Sequence, residues 1–225
     1  DTDGDGILDG IEDINRNGLR DANETSPLLA DTDGDGLDDG LEDRNLDGVR
    51  NGVETDPRQR DSDRDGIDDG IEDRSRDGVW TENETAGFNP DTDNDGLLDG
   101  AEDINGDGVR DPFETDPRVA DSDGDSLTDG EEDLNRNGVV DEGESDPRRA
   151  DTDGGGEGDG HEFAMGSDLQ DPMDDRRDRL DVDGDGLTSD EEDRNRNGRV
   201  DDGETNPLDP DTDRDGLSDG AERAY

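Results

Sequence analysis

Asp1, Asp3, Asp5, Asp9 and Glu12 place carboxylates at the first, third, fifth, ninth and twelfth positions of a short stretch whose sixth residue is Gly6. Alternate oxygen side chains turn toward one point as a backbone curls, and glycine permits the sharp turn. The carbonyl of Ile7 would add a backbone oxygen, and the long Glu12 can return with both of its own. This is the spacing of a calcium loop. Hard oxygen donors in such number suit Ca²⁺; Mg²⁺ demands a tighter octahedron and keeps more water. The soft donors of zinc or copper are missing apart from a single His.

A second stretch of the same kind follows without a gap. Asp13, Asn15, Asn17, Asp21 and Glu24 occupy its side-chain positions and Leu19 its carbonyl position. Glu12 ends one loop and Asp13 begins the next, so no helix fits between them and these are not EF-hands. The chain must pass from ion to ion.

The 30-residue unit recurs without insertion from Asp1, Asp31, Asp61, Asp91, Asp121, Asp151, Asp181 and Asp211, with seven first loops and six second loops kept. That is seven and a half repeats, and the constant phase predicts units stacked in one geometry. The further first-loop candidates are Asp31, Asp33, Asp35, Leu37, Asp39 and Glu42; Asp61, Asp63, Asp65, Ile67, Asp69 and Glu72; and Asp91, Asp93, Asp95, Leu97, Asp99 and Glu102. They continue with Asp121, Asp123, Asp125, Leu127, Asp129 and Glu132; Asp181, Asp183, Asp185, Leu187 and Glu192; and Asp211, Asp213, Asp215, Leu217, Asp219 and Glu222.

The further second-loop candidates are Asp43, Asn45, Asp47, Val49, Asn51 and Glu54; Asp73, Ser75, Asp77, Val79 and Glu84; and Asp103, Asn105, Asp107, Val109, Asp111 and Glu114. The last are Asp133, Asn135, Asn137, Val139, Asp141 and Glu144, then Asp193, Asn195, Asn197, Arg199, Asp201 and Glu204. Ser126 replaces one turn Gly, while Ser189 and Thr81 replace ninth-position acids. Of the 75 acidic residues, 53 fall at ligand positions, which scattered surface charge would not produce.

Six residues close each repeat, usually with a Pro such as Pro27 or Pro57. Gly and Pro break any long element, so at most a helical turn fits around Leu8 to Ile14. The expected fold is a repeat protein with little regular secondary structure: a calcium-organised ladder or solenoid without a conventional hydrophobic core. Residues 1–150 read as five complete repeats, 151–180 as a degenerate repeat serving as spacer or hinge, and 181–225 as one and a half repeats. In the degenerate repeat Gly155 stands where the third Asp belongs, and Phe163, Ala164 and Met165 suit an apolar helical turn.

Composition fits that reading. The formal charge is −53, all 22 cations are Arg, and Leu, Ile, Val and Phe make up 15% of the chain. So few apolar residues cannot build a sizeable core, and a bare chain of this charge would expand. Nucleic acid as a partner requires the opposite sign, and no apolar run suits a membrane helix. Cysteine is absent, so disulfides cannot substitute for a core. Thirteen bound Ca²⁺ would cancel about half the charge. The chain opens on the first residue of a motif and without Met, as expected of a piece of something longer.

Aliphatic residues keep phase too. Ile7, Leu37, Ile67, Leu97, Leu127, Leu187 and Leu217 follow the first turn, and Leu19, Val49, Val79, Val109 and Val139 follow the second. Together they predict a thin apolar spine. Trp80, Phe88 and Phe113 are expected in local packing. His161 is expected at the surface, and Arg16, Arg44 and Arg74 are expected to point outward beside neighbouring acids. Asn23-Glu24-Thr25 and Asn83-Glu84-Thr85 match the glycosylation sequon, but the loop and linker already account for these residues.

DTDGDGLDDGLED at 31–43, ETDPRVADSDGD at 114–125 and DTDRDGLSDGAE at 211–222 carry a wider resemblance. The pattern resembles thrombospondin type 3 repeats, and is more similar to their cysteine-free bacterial form. It covers the whole chain, and it departs from the animal family in lacking cysteines. The resemblance implies a calcium-loaded, extended extracellular or cell-surface module in which a motif can hold more than one ion.

The expected function is therefore structural: a Ca²⁺-rigidified rod, stalk or filament subunit, its partners calcium and copies of itself head to tail. Calcium storage or mineral templating is the alternative. No nucleophile–base pair or phosphate loop stands out, so an enzyme is not expected.

Overall fold

The computed structural model describes residues 1–173 and 181–223. The tail of the degenerate repeat and the end of the last half-repeat, including Tyr225, lie outside the described residues. The chain divides into two compact units, Asp1–Ala120 with Arg136–Gly138, and Asp121–Asn135 with Val139–Tyr225.

One short helix falls in each repeat: α1 Asp9–Glu12, α2 Asp39–Glu42, α3 Asp69–Glu72, α4 Asp99–Glu102, α5 Asp129–Glu132, α6 Asp159–Met165, α7 Ser189–Glu192 and α8 Asp219–Glu222. Among the described residues there are no strands. The single turn starts from an extended residue, such as Asp38 before α2, and the N–H of Asp39 bonds back to the carbonyl of Ala30, 2.7 Å away. A linker is thereby tied to the helical turn that follows it. Thr128 and Glu131 add a reciprocal capping box at α5. α6 is longer and ends at Gly166 in the left-handed conformation.

Repeats stack through the tenth-position glycine. A Cβ on Gly40 would lie 2.2 Å from the carbonyl oxygen of Asp5, and one on Gly100 2.2 Å from that of Asp65. No side chain fits such an approach. The N–H of Gly70 also donates to Asp35 Oδ2 at 2.8 Å, and that of Gly160 to Asp125 Oδ2 at 2.8 Å. The helical turns of Gly40, Gly70, Gly100 and Gly160 thus seat on the fifth position of the preceding repeat.

Half of the expected spine is present. Ile7, Leu37, Ile67, Leu97, Leu127 and Leu187 are buried. Leu19, Val49, Val79, Val109 and Val139, with Leu217, are exposed. The seventh-position side chains of the second loops therefore lie at the surface, while their acids Glu24, Asp43 and Glu114 are buried, and the buried large aliphatic residues belong to the first loops. The buried set is mostly acidic: Glu12, Asp39, Glu42, Asp69, Glu72 and Asp99 all stand at 2% exposure or less.

Arginines tie repeats together as well as facing solvent. Arg58 Nη1 donates to the carbonyl of Asn23, and Arg118 Nη1 to that of Asn83, each at 2.9 Å. Both guanidinium groups are anchored on the nearby Asp56 and Asp116. Arg16, Arg44 and Arg74 are exposed as expected, although Arg74 also donates to the carbonyl of Gly108. Trp80 meets Phe88 edge-on at 6.1 Å, and its indole N–H donates to the carbonyl of Glu84.

Candidate metal centres

Within a first loop, backbone N–H groups occupy the outer carboxylate oxygens. Gly34 and Gly36 donate to Asp31, Asp35 donates to Asp33 Oδ1, and Leu37 donates to Asp35 Oδ1. These short Asx-type bonds curl the loop. With the loop so curled, Asp31, Asp33 and Asp35 each bring a carboxylate oxygen within 4.8 Å of the others. Asp1, Asp3 and Asp5 do the same, as do Asp61, Asp63 and Asp65.

A second cluster forms across the repeat boundary. Asp5 and Glu12 converge with Asp39 of the next repeat, and Asp35 and Glu42 converge with Asp69, again within 4.8 Å. The fifth-position Asp belongs to both clusters. Asp39 and Asp69, at ninth positions, therefore join the candidate cluster of the repeat before them. Spacing along the chain does not reveal this, because the step from one repeat to the next is set by the glycine contact.

Two further residues hold the site, and the sequence reading assigned neither. The second-position hydroxyl residue clamps the ninth-position Asp. Thr32 donates its N–H to Asp39 Oδ1 at 2.7 Å and its hydroxyl to Asp39 Oδ2 at 2.6 Å. Thr92 and Thr152 repeat the contact on Asp99 and Asp159. The signal was in the sequence: Val182 and Ser189 replace both partners together in one repeat. The linker threonine holds the twelfth-position Glu, with Thr55 to Glu42 Oε1 at 3.0 Å and Thr205 to Glu192 Oε1 at 3.1 Å. Thr25 is likewise spent on Glu12, which accounts for the sequon at Asn23.

Other oxygens in these clusters are buried and accept no hydrogen bond: Asp33 Oδ2, Glu42 Oε2, Asp63 Oδ2, Asp65 Oδ2 and both oxygens of Glu72. A buried carboxylate without a compensating partner is costly, and it responds by holding its proton. Burial, reinforced by the charges of Asp35 and Asp33, pushes Glu42 up to about 10. Burial with Asp65, Asp63 and Asp69 nearby pushes Glu72 up to about 11. Burial likewise raises Asp33 to about 6, Asp39 to about 7 and Asp69 to about 8. A cation among these oxygens would reverse the shifts. The all-oxygen donor set and its orphaned oxygens fit a hard divalent ion.

The second loops are built differently. Glu24 accepts from the N–H groups of Asn15 and Asp21, while the side-chain amides of Asn15 and Asn17 both reach Asp21 Oδ2. Glu54, Glu144 and Glu204 repeat the arrangement with Asn45, Asn135 and Asn195. Among the described residues, no second-loop carboxylate oxygen is buried without a hydrogen bond. The uncompensated negative charge is concentrated in the first loops.

The degenerate repeat differs from expectation at His161. It is buried at 1% exposure, with Nδ1 2.8 Å from Asp193 Oδ2. It is buried on α6, and the expected helical turn at Phe163, Ala164 and Met165 is the end of that helix, with Phe163 exposed. Among the described residues, no helix is long and apolar enough to cross a membrane. No family model, curated protein or solved structure matches the chain.

Proposed function

We propose that the chain is a Ca²⁺-organised structural module, a stiffened rod, stalk or filament subunit that works outside the cell or at its surface. The reading rests on one observation above all: carboxylates from successive repeats converge in shared clusters that include buried oxygens accepting no hydrogen bond, such as Glu12 Oε2, Glu42 Oε2 and Asp69 Oδ2. Where a globular domain has a hydrophobic core, this chain buries few aliphatic residues and many carboxylates, so metal binding would supply most of its folding energy. Two clusters sharing Asp5 or Asp35 have room for a pair of ions per first loop, consistent with the resemblance to thrombospondin type 3 repeats. Extracellular modules bind Ca²⁺ at roughly 10⁻⁴–10⁻³ M, matching the calcium available outside cells. A shared cluster locks adjacent repeats, which is how a spacer gains stiffness. Continuation of the same stacking from one copy to another would give a head-to-tail filament.

The test is small-angle scattering and circular dichroism in Ca²⁺ and then in chelator. The reading expects a compact state in Ca²⁺ and expansion on chelation; an unchanged scattering profile overturns it. Elemental analysis of bound Ca²⁺ separates a fixed stoichiometry from the open-ended uptake of a storage or mineral-templating protein.

A further inference from the structure

The joint between residues 151–180 and 181–210 departs from the other joints at several positions together. The trio equivalent to Asp35, Glu42 and Asp69 is Gly155, Glu162 and Ser189, so two of the three carboxylates of the shared cluster are gone. Asp190 stands where Gly40, Gly70 and Gly100 make the close approach to the preceding backbone. The first-loop devices that join other repeats, an oxygen cluster and a glycine seat, are both lost here.

Contacts made by the chain itself take their place. His161 Nδ1 lies 2.8 Å from Asp193 Oδ2, and both side chains are 1% exposed. A carboxylate accepts, so Nδ1 donates. The same position holds Ile11, Leu41 and Ile71 in other repeats, and an aliphatic residue has no such donor. Glu157 Oε2 lies 4.0 Å from Nε2, which places the imidazole between acids of both repeats. Asp193 also accepts from the N–H groups of Asn197 at 3.3 Å and Gly198 at 2.8 Å. One carboxylate thus curls the second loop at 193–204 and fastens it to α6. Arg196 of that loop donates from Nη1 to the carbonyl of Gly156 at 2.9 Å, and its Nη2 lies 2.9 Å from Asp190 Oδ1. The second-loop glycine contact is kept. A Cβ on Gly198 would lie 2.6 Å from the carbonyl oxygen of Gly160, as one on Gly78 would lie 2.4 Å from that of Leu41. Hydrogen bonds to a buried charged acceptor are among the strong ones, and none of these needs an ion.

We propose that this joint is a metal-independent clamp. It stays formed when Ca²⁺ is withdrawn, and it leaves a folded nucleus of α6 and the loop 193–204 onto which the calcium-dependent repeats restack. Such a clamp presupposes that the other joints need metal, as in the function proposed above.

The experiment is amide hydrogen exchange of the full chain, read by mass spectrometry in excess chelator at neutral pH. Residues 159–166 and 193–199 are expected to exchange about 100-fold more slowly than residues 39–43 and 69–73. His161→Ile installs the side chain that Ile11 and Ile71 provide at this position. It is expected to lose about 10-fold or more of that protection in chelator, while residues 1–120 keep theirs in saturating Ca²⁺, since a repeat stack is one-dimensional. Exchange at 159–166 and 193–199 as fast as at 39–43 overturns the clamp. Unchanged protection in His161→Ile overturns it too. Strong protection of every repeat in chelator overturns the calcium-organised module instead, and the variant alone then decides the clamp.

Discussion

Asp69 and Glu42 belong to different repeats, yet their carboxylates meet in one cluster with Asp35, every ligand atom within 4.8 Å of the others. Asp69 is held in place by Ser62 of its own repeat, whose N–H donates to its Oδ1 at 2.8 Å. The contact is therefore a joint: one repeat positions a carboxylate that completes the other's cluster.

Replacement at Asp69 should be felt in the repeat before it. Asp69→Asn is expected to lower Ca²⁺ affinity at the cluster of Asp35 and Glu42 by about 10-fold or more. Calcium-dependent chemical shifts should change around Asp35 and Glu42. A disturbance confined to Asp61, Asp63 and Asp65 would show that Asp69 serves its own loop.

Two equivalent glycines should respond differently to the same substitution. Gly100 faces the carbonyl of Asp65, whereas Gly10 has nothing within 4 Å of a built Cβ. Gly100→Ala is expected to destabilise by about 1–3 kcal/mol through overpacking. Gly10→Ala should be neutral or gain up to about 1 kcal/mol from helix propensity. Thermal unfolding in Ca²⁺ measures both; equal effects would remove the close approach as the stacking device.

The metal-free chain should be more compact in acid than at neutral pH. Asp39, Asp69, Glu42 and Glu72 are raised to about 7, 8, 10 and 11. A raised acid contributes stability that is fully present below its unfolded value, about 4 for Asp and Glu, and that is lost as pH rises through the folded value. Scattering in chelator should thus show expansion from about pH 4 upward. Saturating Ca²⁺ should reverse the trend, since it binds the charged form and its affinity rises with pH. Compaction with rising pH in chelator would contradict the buried-carboxylate account.

Ser126 stands at a turn where φ is +94°, close to the +106° of Gly6 and Gly36. A side chain is strained there. Ser126→Gly is expected to stabilise by about 1 kcal/mol, read as a lower Ca²⁺ midpoint for compaction. A destabilised variant would mean that the serine makes a contact worth more than the strain.

Trp80 replaces an arginine without changing the bond made. Its indole N–H reaches the carbonyl of Glu84, as Arg50 Nε reaches that of Glu54. Trp80→Arg is expected to change stability by no more than about 0.5 kcal/mol, as for most surface substitutions. Thermal unfolding in Ca²⁺ checks it, and a larger loss would give weight to the packing against Phe88.

Much of the fold could be read from residue order. The 30-residue period, the short helical turn and the burial of Ile7, Leu37 and Ile67 followed from a repeated local pattern. The convergence of Asp31, Asp33 and Asp35 did too, because Asx bonds within a few residues bend the loop. His161 was misplaced because one histidine beside an acid reads as surface; its burial depends on Asp193, far along the chain. The second-loop valines keep phase as well as the first-loop leucines, and only packing distinguishes them.

Sequence alone determined the carboxylate chemistry and its rhythm, since oxygen side chains at alternate positions and a glycine turn act over a few bonds. Tertiary structure decided ownership. The approach of Gly40 and Gly100 to the preceding backbone sets how far each repeat advances. That displacement gives Asp39 and Asp69 to the clusters of their neighbours, and it is a distance between repeats that no spacing within one repeat encodes.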